Sequence, residues 1–215
     1  MFLGHIAIGL GAARARPRVP LVTWVVAVQF VDLLWPIFLL AGLEHVRIAP
    51  GITAFTPLDF YHYPITHSLV GGAGWGLVLA ALCRAAGVAP ADAALVGGAV
   101  LTHWVLDVIS HRPDMPVLPN GPYLGLGLWN SVPATLIVEL TMFAAGVWWY
   151  ARRNGYRPVS FWLLIAFLLV TYFAAAFGPP PPNPTVLAWS AMALWLLIPW
   201  LWWIDRPTTR TVGSR

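Results

Sequence analysis

Six apolar stretches, each about 20 residues long, constrain the fold of this chain more than any other feature. They cover residues 20–43, 67–87, 91–110, 131–151, 159–178 and 185–204, and every interval between them contains proline or glycine. Hydrophobic residues make up 59% of the sequence and charged residues 9%, a balance outside the range of soluble proteins. A helix of about 20 residues crosses a hydrocarbon core about 30 Å thick. The sequence therefore predicts an all-α, polytopic membrane protein with about six transmembrane helices in a single domain, residues 1–215.

The arginines predict how these helices are oriented in the membrane. Arg47 and Arg112 fall on one side, while the other side carries Arg14, Arg16, Arg18, Arg84, Arg152, Arg153, Arg157, Arg206, Arg210 and Arg215. Because cytoplasmic loops of membrane proteins are rich in basic residues, we expect the second side and the C-terminus to be cytoplasmic. The expected location is the cytoplasmic membrane of a bacterium or an archaeon. Topology then accounts for the net charge of +4, and no nucleic-acid partner is expected.

The first residues form an apolar segment that is too short to cross the membrane. Residues 2–13 would measure about 18 Å as a helix, and the basic residues follow this segment instead of preceding it. That order differs from a secretory signal peptide, which begins with basic residues. We expect a half-helix that enters the bundle from the cytoplasmic side and carries His5 to the middle of the membrane, where surrounding protein covers it.

One apolar stretch contains three side chains that can bind a metal ion. His103, Asp107 and His111 are spaced i, i+4 and i+8, so on a helix they project from one face at neighbouring levels. Ionisable groups inside a membrane are costly unless they are paired or bind something. A buried His/Asp ion pair is the alternative to a metal site. Cys83 is the only cysteine, so His and carboxylate side chains would have to supply the ligands.

Other ionisable residues are expected at the same depth, between the bilayer centre and the non-cytoplasmic surface. Counted at about 1.5 Å per residue, they are His5, Asp32, His67 and Glu139. A lone residue of this kind is often a hydrogen-bonded packing residue, and a carboxylate in mid-helix is either protonated or bound to metal. Their convergence from separate segments favours one site in the non-cytoplasmic half of the membrane. Asp32, Asp107 or Glu139 would be its bridging ligand or general base.

A second cluster, His62 to Ser68, precedes the second apolar stretch. His62 and His67 flank a predicted turn at Pro64, so their imidazoles can converge on one ion. Thr66 and Ser68 would orient these imidazoles or cap the following helix. Ser68 as a nucleophile is the weaker interpretation, because no Gly-x-Ser-x-Gly turn surrounds it.

These residues resemble a known family, the YdjM-like membrane-bound metal-dependent hydrolases, which are distantly similar to zinc-dependent phospholipase C and single-strand nucleases. The family has an early His, an Asp motif on the next helix, a segment H-R-G-x-T-H-S and a later H-x-x-x-D helix. His5, Asp32, the segment 62–68 and the pair His103/Asp107 occur here in that order, over roughly the first 110 residues. Tyr63 and Pro64 stand where the family commonly has Arg and Gly, so an arginine that could grip a phosphate is missing.

The resemblance implies an all-helical fold and a hydrolytic site with two or more metal ions, zinc or another divalent metal. The predicted ligands are His5, Asp32, His62, His67, His103, Asp107, His111 and Glu139, with Thr66 and Ser68 behind them. Zinc ions would activate a water molecule and stabilise the charge that develops on the substrate. A site within the membrane favours a lipid or lipid-linked substrate, and the resemblance implies phospholipase-like phosphoester hydrolysis. A ceramidase-like lipid amidase and a metal or proton transporter are the alternatives.

Overall fold

A computed structural model describes residues 1–152 and 158–205, and nearly all of its regular structure is helical. The α-helices are α1 (Phe2–Ala15), α2 (Leu21–Val28), α3 (Phe30–Leu40), α4 (Pro64–His67), α5 (Leu69–Ala85), α6 (Pro90–Ser110), α7 (Val132–Ala151), α8 (Val159–Phe177), α9 (Pro184–Ala191) and α10 (Leu197–Asp205). Short 3-10 turns occupy Leu128–Asn130 and Met192–Leu196. The predicted all-α class is confirmed.

Two small antiparallel β-hairpins interrupt the helices. One pairs β1 (His45–Ile48) with β2 (Leu58–His62), and the other pairs β3 (Met115–Pro116) with β4 (Tyr123–Leu124). Both lie in connections between helices, and a small apolar cluster that includes Trp35, Tyr63 and Met115 packs beneath them. We call this end of the helix bundle the hairpin end. Arg47 and Arg112 both bond to Asp59 there, whereas Arg153, Arg157, Arg206, Arg210 and Arg215 lie outside the described residues.

Four helical segments of the described chain are long and apolar enough to cross a membrane, so the protein is an integral membrane protein. They are α6, α7, α8 and the continuous segment Pro184–Asp205, which contains α9 and α10. A fifth span results if α2 and α3 are counted as one helix with a bend of 53°. The structure therefore supports four or five spans instead of the predicted six.

The stretch 67–87 is the predicted span that is missing from both counts. Ser68 has an extended backbone and its hydroxyl accepts a hydrogen bond from Gly71 N, so α5 begins only at Leu69. His67 belongs to the separate turn α4. The resulting helix has 17 residues and measures about 26 Å, which is shorter than the hydrocarbon core.

Close backbone contacts hold the helices that carry the site. Gly76 of α5 faces Gly97 of α6, and a Cβ atom on either glycine would lie 2.6 Å from the carbonyl oxygen of the other. Gly146 of α7 approaches Ala7 of α1 similarly, since a Cβ there would lie 2.9 Å from the Ala7 carbonyl oxygen. Small residues permit such close helix packing inside membranes. The short helix α1 is thus packed inside the bundle, which places His5 among the longer helices.

Candidate metal centre

His103 and Asp107 form the middle of the site, on the last two turns of α6. Their spacing of four residues places them on one helix face, and His103 Nε2 lies 3.0 Å from Asp107 Oδ2. Both residues are almost fully buried, with 1% and 2% of their surface exposed. Although the atoms are close, the geometry gives His103 Nε2 no hydrogen-bond partner. An imidazole nitrogen and a carboxylate are therefore buried together at the distance of an ion pair.

His5 completes a first group of three possible ligands with His103 and Asp107. Its Nε2 lies 3.1 Å from Asp107 Oδ1, and its ring stacks on that of His103 with a centroid separation of 3.7 Å and an angle of 7°. Asp107 thus faces both imidazoles, one with each carboxylate oxygen. The main-chain nitrogen of Met1 also lies 2.5 Å from Asp107 Oδ1.

Asp32, His67 and His103 form a second group. Asp32 Oδ1 lies 3.3 Å from His67 Nε2 and 3.6 Å from His103 Nε2. Asp32 belongs to the first turn of α3, just after the bend at Gln29, and α4 supplies His67. The Asp32 side chain is 25% exposed, which makes it the most accessible member of either group.

In His103 and His67, a hydrogen bond at Nδ1 leaves Nε2 as the nitrogen that faces the site. His103 Nδ1 lies 2.7 Å from the carbonyl oxygen of Val28, which can only accept a hydrogen bond, so Nδ1 carries the proton. Val28 is the last residue of α2, where helix carbonyls lack partners within the helix. Nε2 of neutral His103 therefore presents a lone pair to the carboxylates of Asp32 and Asp107. A hydrogen bond at the far nitrogen is the usual support of a metal-binding histidine.

The same arrangement orients His67 through Thr66 and Glu44. The Thr66 hydroxyl donates to Glu44 Oε2 at 2.6 Å, so it accepts from His67 Nδ1, at 2.7 Å. Glu44 is fully buried and also accepts from the backbone nitrogens of Ile65 and Thr66. Thr66 thus lies behind an imidazole, where the sequence predicted it. The role of Glu44 was missed, because it lies 22 residues from Thr66 and no local pattern joins them.

The arrangement fits a divalent cation. The Nε2 atoms of two imidazoles and two carboxylates face each other across 3.0–3.6 Å, and such groups are costly to bury without a proton or a metal cation between them. Nitrogen and oxygen ligands around tetrahedral zinc are about 3.4 Å apart, given bonds of about 2.1 Å. Since Nδ1 of His103 is bonded to Val28, this imidazole has one nitrogen left for an ion. The two groups share His103, so they cannot both be complete at once.

His111 lies beside the site but outside both groups. It was predicted on the same helix face as His103 and Asp107, but α6 ends at Ser110 and His111 has an extended backbone. Its Nδ1 lies 2.9 Å from Asp114 Oδ1, and the Tyr63 hydroxyl donates to the same oxygen. Burial and the charge of Asp114 hold the pKa of Tyr63 well above its usual value of 10.0, so this hydroxyl stays a donor. Burial also lowers the pKa of His111 below 6.5, which favours the neutral imidazole that binds metals.

The structure does not bring His62 to the site, which corrects its prediction as a ligand. His62 is the last residue of β2 and is exposed, as is its strand neighbour Tyr61, whereas Tyr63, just beyond the strand, is buried. The His62 ring stacks instead on that of His45, its partner in the β1–β2 pair. Ser68 is not behind a ligand either, because its hydroxyl donates to Pro64 O and caps α5. Capping was the other predicted role of this serine.

Glu139 also lies outside both groups, on α7. Its Oε2 accepts from Leu3 N at 2.9 Å, at the N-terminus of α1, while its Oε1 has no partner within the described protein. Tyr172 of α8 has a buried hydroxyl that likewise lacks a hydrogen bond. Both residues line a cavity beside the site. Glu139 therefore anchors α1 through Leu3, with one carboxylate oxygen left for a ligand.

A cavity of about 340 Å³ adjoins the site. Asp32, His67, Asp107, His111 and Glu139 line its polar end, and most of the other lining residues are apolar and come chiefly from α8, the segment Pro184–Asp205 and the hairpin end. Pockets of this size bind small molecules or part of a larger one. The candidate ligands are thus reached from this cavity.

Comparisons with protein-family models, with curated proteins and with solved structures find no match for this chain.

Proposed function

We propose that this protein is a membrane-embedded, zinc-dependent hydrolase that acts on a lipid or lipid-linked substrate. The observation that carries the proposal is the pair of imidazoles, His67 and His103, whose Nδ1 atoms are bonded elsewhere and whose Nε2 atoms face buried carboxylates. Each imidazole thus has one nitrogen that faces a carboxylate, and a hydrogen bond at the far nitrogen is the usual support of a metal-binding histidine.

Different residues would bind the ion and accept the proton. His103 would hold the ion together with Asp32 and His67, or with His5 and Asp107, and its one free nitrogen would limit this centre to one ion at a time. A zinc ion held there would lower the pKa of a bound water and polarise the substrate. Asp32 lies at the cavity and is partly exposed, so it can accept the proton of an attacking water. Glu139 offers a second carboxylate oxygen on the cavity wall.

Two types of substrate bond are candidates for cleavage, a phosphoester and an amide. The resemblance to YdjM-like hydrolases favours a phosphoester, but among the described residues no arginine side chain lines the cavity. This observation favours a second candidate, an amide bond as in ceramidase-like enzymes, since an amide needs no basic residue to bind it. Release of a phosphate monoester indicates the first reaction, and release of a free fatty acid indicates the second. The arginine pattern supports a C-terminus in the cytoplasm and a site in the opposite half of the membrane.

Zinc content and one matched pair of variants test the proposal. Protein purified without chelators should hold zinc, measured by elemental analysis. Asp107→Asn should lose most of this zinc and nearly all hydrolysis of vesicle lipids, because an amide has nearly the same shape but is a poor metal ligand. Asp92→Asn is the control, since Asp92 lies on the same helix α6 and faces Arg16 instead of the site.

Two results would contradict the proposal. One is zinc-free protein that stays inactive when zinc is restored to it. The other is an Asp107→Asn variant that keeps both its zinc and its activity while folding like the Asp92→Asn control. Loss of zinc in both variants would point to a general loss of folding, so thermal unfolding of each variant in the same detergent accompanies the measurement.

A further inference from the structure

The cavity beside the site has two different ends. Its polar end contains Asp32, Asp107 and Glu139, while Leu168 of α8 and Leu194 and Leu197 of the last span line its far end. Leu168 and Leu197 are buried, with 2% and 5% exposed. An occupant that fills the cavity must therefore be apolar along most of its length and polar where it meets the carboxylates.

The cavity opens sideways, between two membrane spans. Besides Phe167 of α8, four lining residues with short side chains are also exposed on the surface: Thr171, Ala175, Ser190 and Ala193. The first two belong to α8 and the others to the segment Pro184–Asp205, and both of these are candidate spans. We call these four residues the mouth. Because spans of this kind are surrounded by lipid chains, the mouth faces hydrocarbon and not water.

Aromatic residues of the hairpin end also line the cavity. Phe55, Phe60 and Trp129 line the cavity there. Phe55 N donates to the carbonyl oxygen of Trp129 at 3.0 Å, which ties the β1–β2 loop to the turn before α7. The ring of Trp129 also lies 4.2 Å from that of His111. These aromatic rings form a roof between the site and the extramembrane surface.

From the mouth and the roof together, we propose that the cavity receives one alkyl chain of a membrane lipid through the mouth. The chain lies between α8 and the last span, and the lipid's polar group meets Asp32 and Asp107. An apolar cavity that opens into the bilayer fills from the bilayer, because burying a hydrocarbon chain there costs no contact with water. This inference rests on the proposed function, since it assigns the substrate class of the same site.

Photolabelling in nanodiscs tests the inference. The full chain is reconstituted in phosphatidylcholine that contains a small fraction of hexadecanol with a diazirine near the end of its chain, whose uncharged hydroxyl can donate to the carboxylates. After illumination, adducts are located by mass spectrometry. We expect adducts on Leu168 or Leu197, which bulk lipid cannot reach because both side chains are buried. Ala193→Trp should reduce them by about tenfold or more, since an indole would fill the mouth. Ala166→Trp is the control, because Ala166 is exposed on α8 and does not line the cavity.

The outcomes separate this inference from the hydrolase proposal. Adducts confined to outward residues such as Val170, or equal labelling of Leu168 and Leu197 in Ala193→Trp and Ala166→Trp, would overturn the inference even if the protein holds zinc. Adducts on these leucines in a protein without zinc would support it and contradict only the hydrolase. If Ala193→Trp fails to fold, Ala175→Phe blocks the opposite rim of the mouth, and the same labelling pattern decides.

Discussion

Thr66→Val tests the hydrogen bonds that orient the metal-facing imidazole of His67. The substitution replaces a hydroxyl by a methyl group of similar size and removes two bonds, to Glu44 Oε2 at 2.6 Å and to His67 Nδ1 at 2.7 Å. His67 then loses the acceptor that fixes its ring. Loss of such a partner weakens metal binding by about 10- to 100-fold, which equals about 1.4 to 2.7 kcal/mol.

The same substitution should also lower the free energy of unfolding. Thr66 and Glu44 are fully buried, so the carboxylate oxygen and the imidazole nitrogen lose a partner that water cannot replace. Each unsatisfied group costs about 1 to 3 kcal/mol. Glu44 keeps its bonds from the backbone nitrogens of Ile65 and Thr66, which limits the loss and leaves the helices in place.

Two measurements and two controls separate these effects. Zinc affinity is measured by competition with a chromophoric chelator, and stability by thermal unfolding of the zinc-free protein in the same detergent. Thr66→Ser keeps the hydroxyl and should bind zinc with nearly unchanged affinity. Thr135→Val removes another buried hydroxyl, which donates to the Leu128 carbonyl oxygen, and should lower stability alone. If Thr66→Val binds zinc as tightly as the original protein, His67 is not held for a metal ion and the argument fails.

Three further predictions concern helix packing, the metal ligands and the orientation in the membrane. Gly97→Ala should lower the free energy of unfolding by about 1 to 3 kcal/mol, because its Cβ would lie 2.6 Å from a carbonyl oxygen of α5. Gly98→Ala is the control, since a Cβ there meets nothing within 4 Å, and equal melting temperatures of the two variants would contradict the prediction. His62→Ala should keep its full zinc content by elemental analysis, because His62 is exposed outside the site, and loss of zinc would make it a ligand after all. In protein without the native cysteine, a cysteine at Asn120 should react with an impermeant thiol reagent outside intact cells and one at Ala86 should not; the opposite labelling would place the site on the cytoplasmic side.

Local sequence patterns were sufficient for the helices and for one pair of ligands. Apolar runs separated by proline and glycine predicted α6, α7 and α8 to within two residues at each end, since a helix in a membrane satisfies its own backbone. The four-residue spacing of His103 and Asp107 was enough to place both on one face of α6. Both results depend only on residues close together in the chain.

Which of the other candidate residues lie close to His103 and Asp107 was determined only by the tertiary structure. His103 bonds to Val28, 75 residues away, and Glu139 bonds to Leu3, 136 residues away, and no local pattern encodes such distances. The strand β2 turned His62 outward, and the end of α6 removed His111 from the helix face. Composition and periodicity determine which segments become helices, because those properties act within one segment. The site depends on how separate segments pack, so the bend at Gln29 and the roles of Glu44 and Thr66 emerged only from the fold.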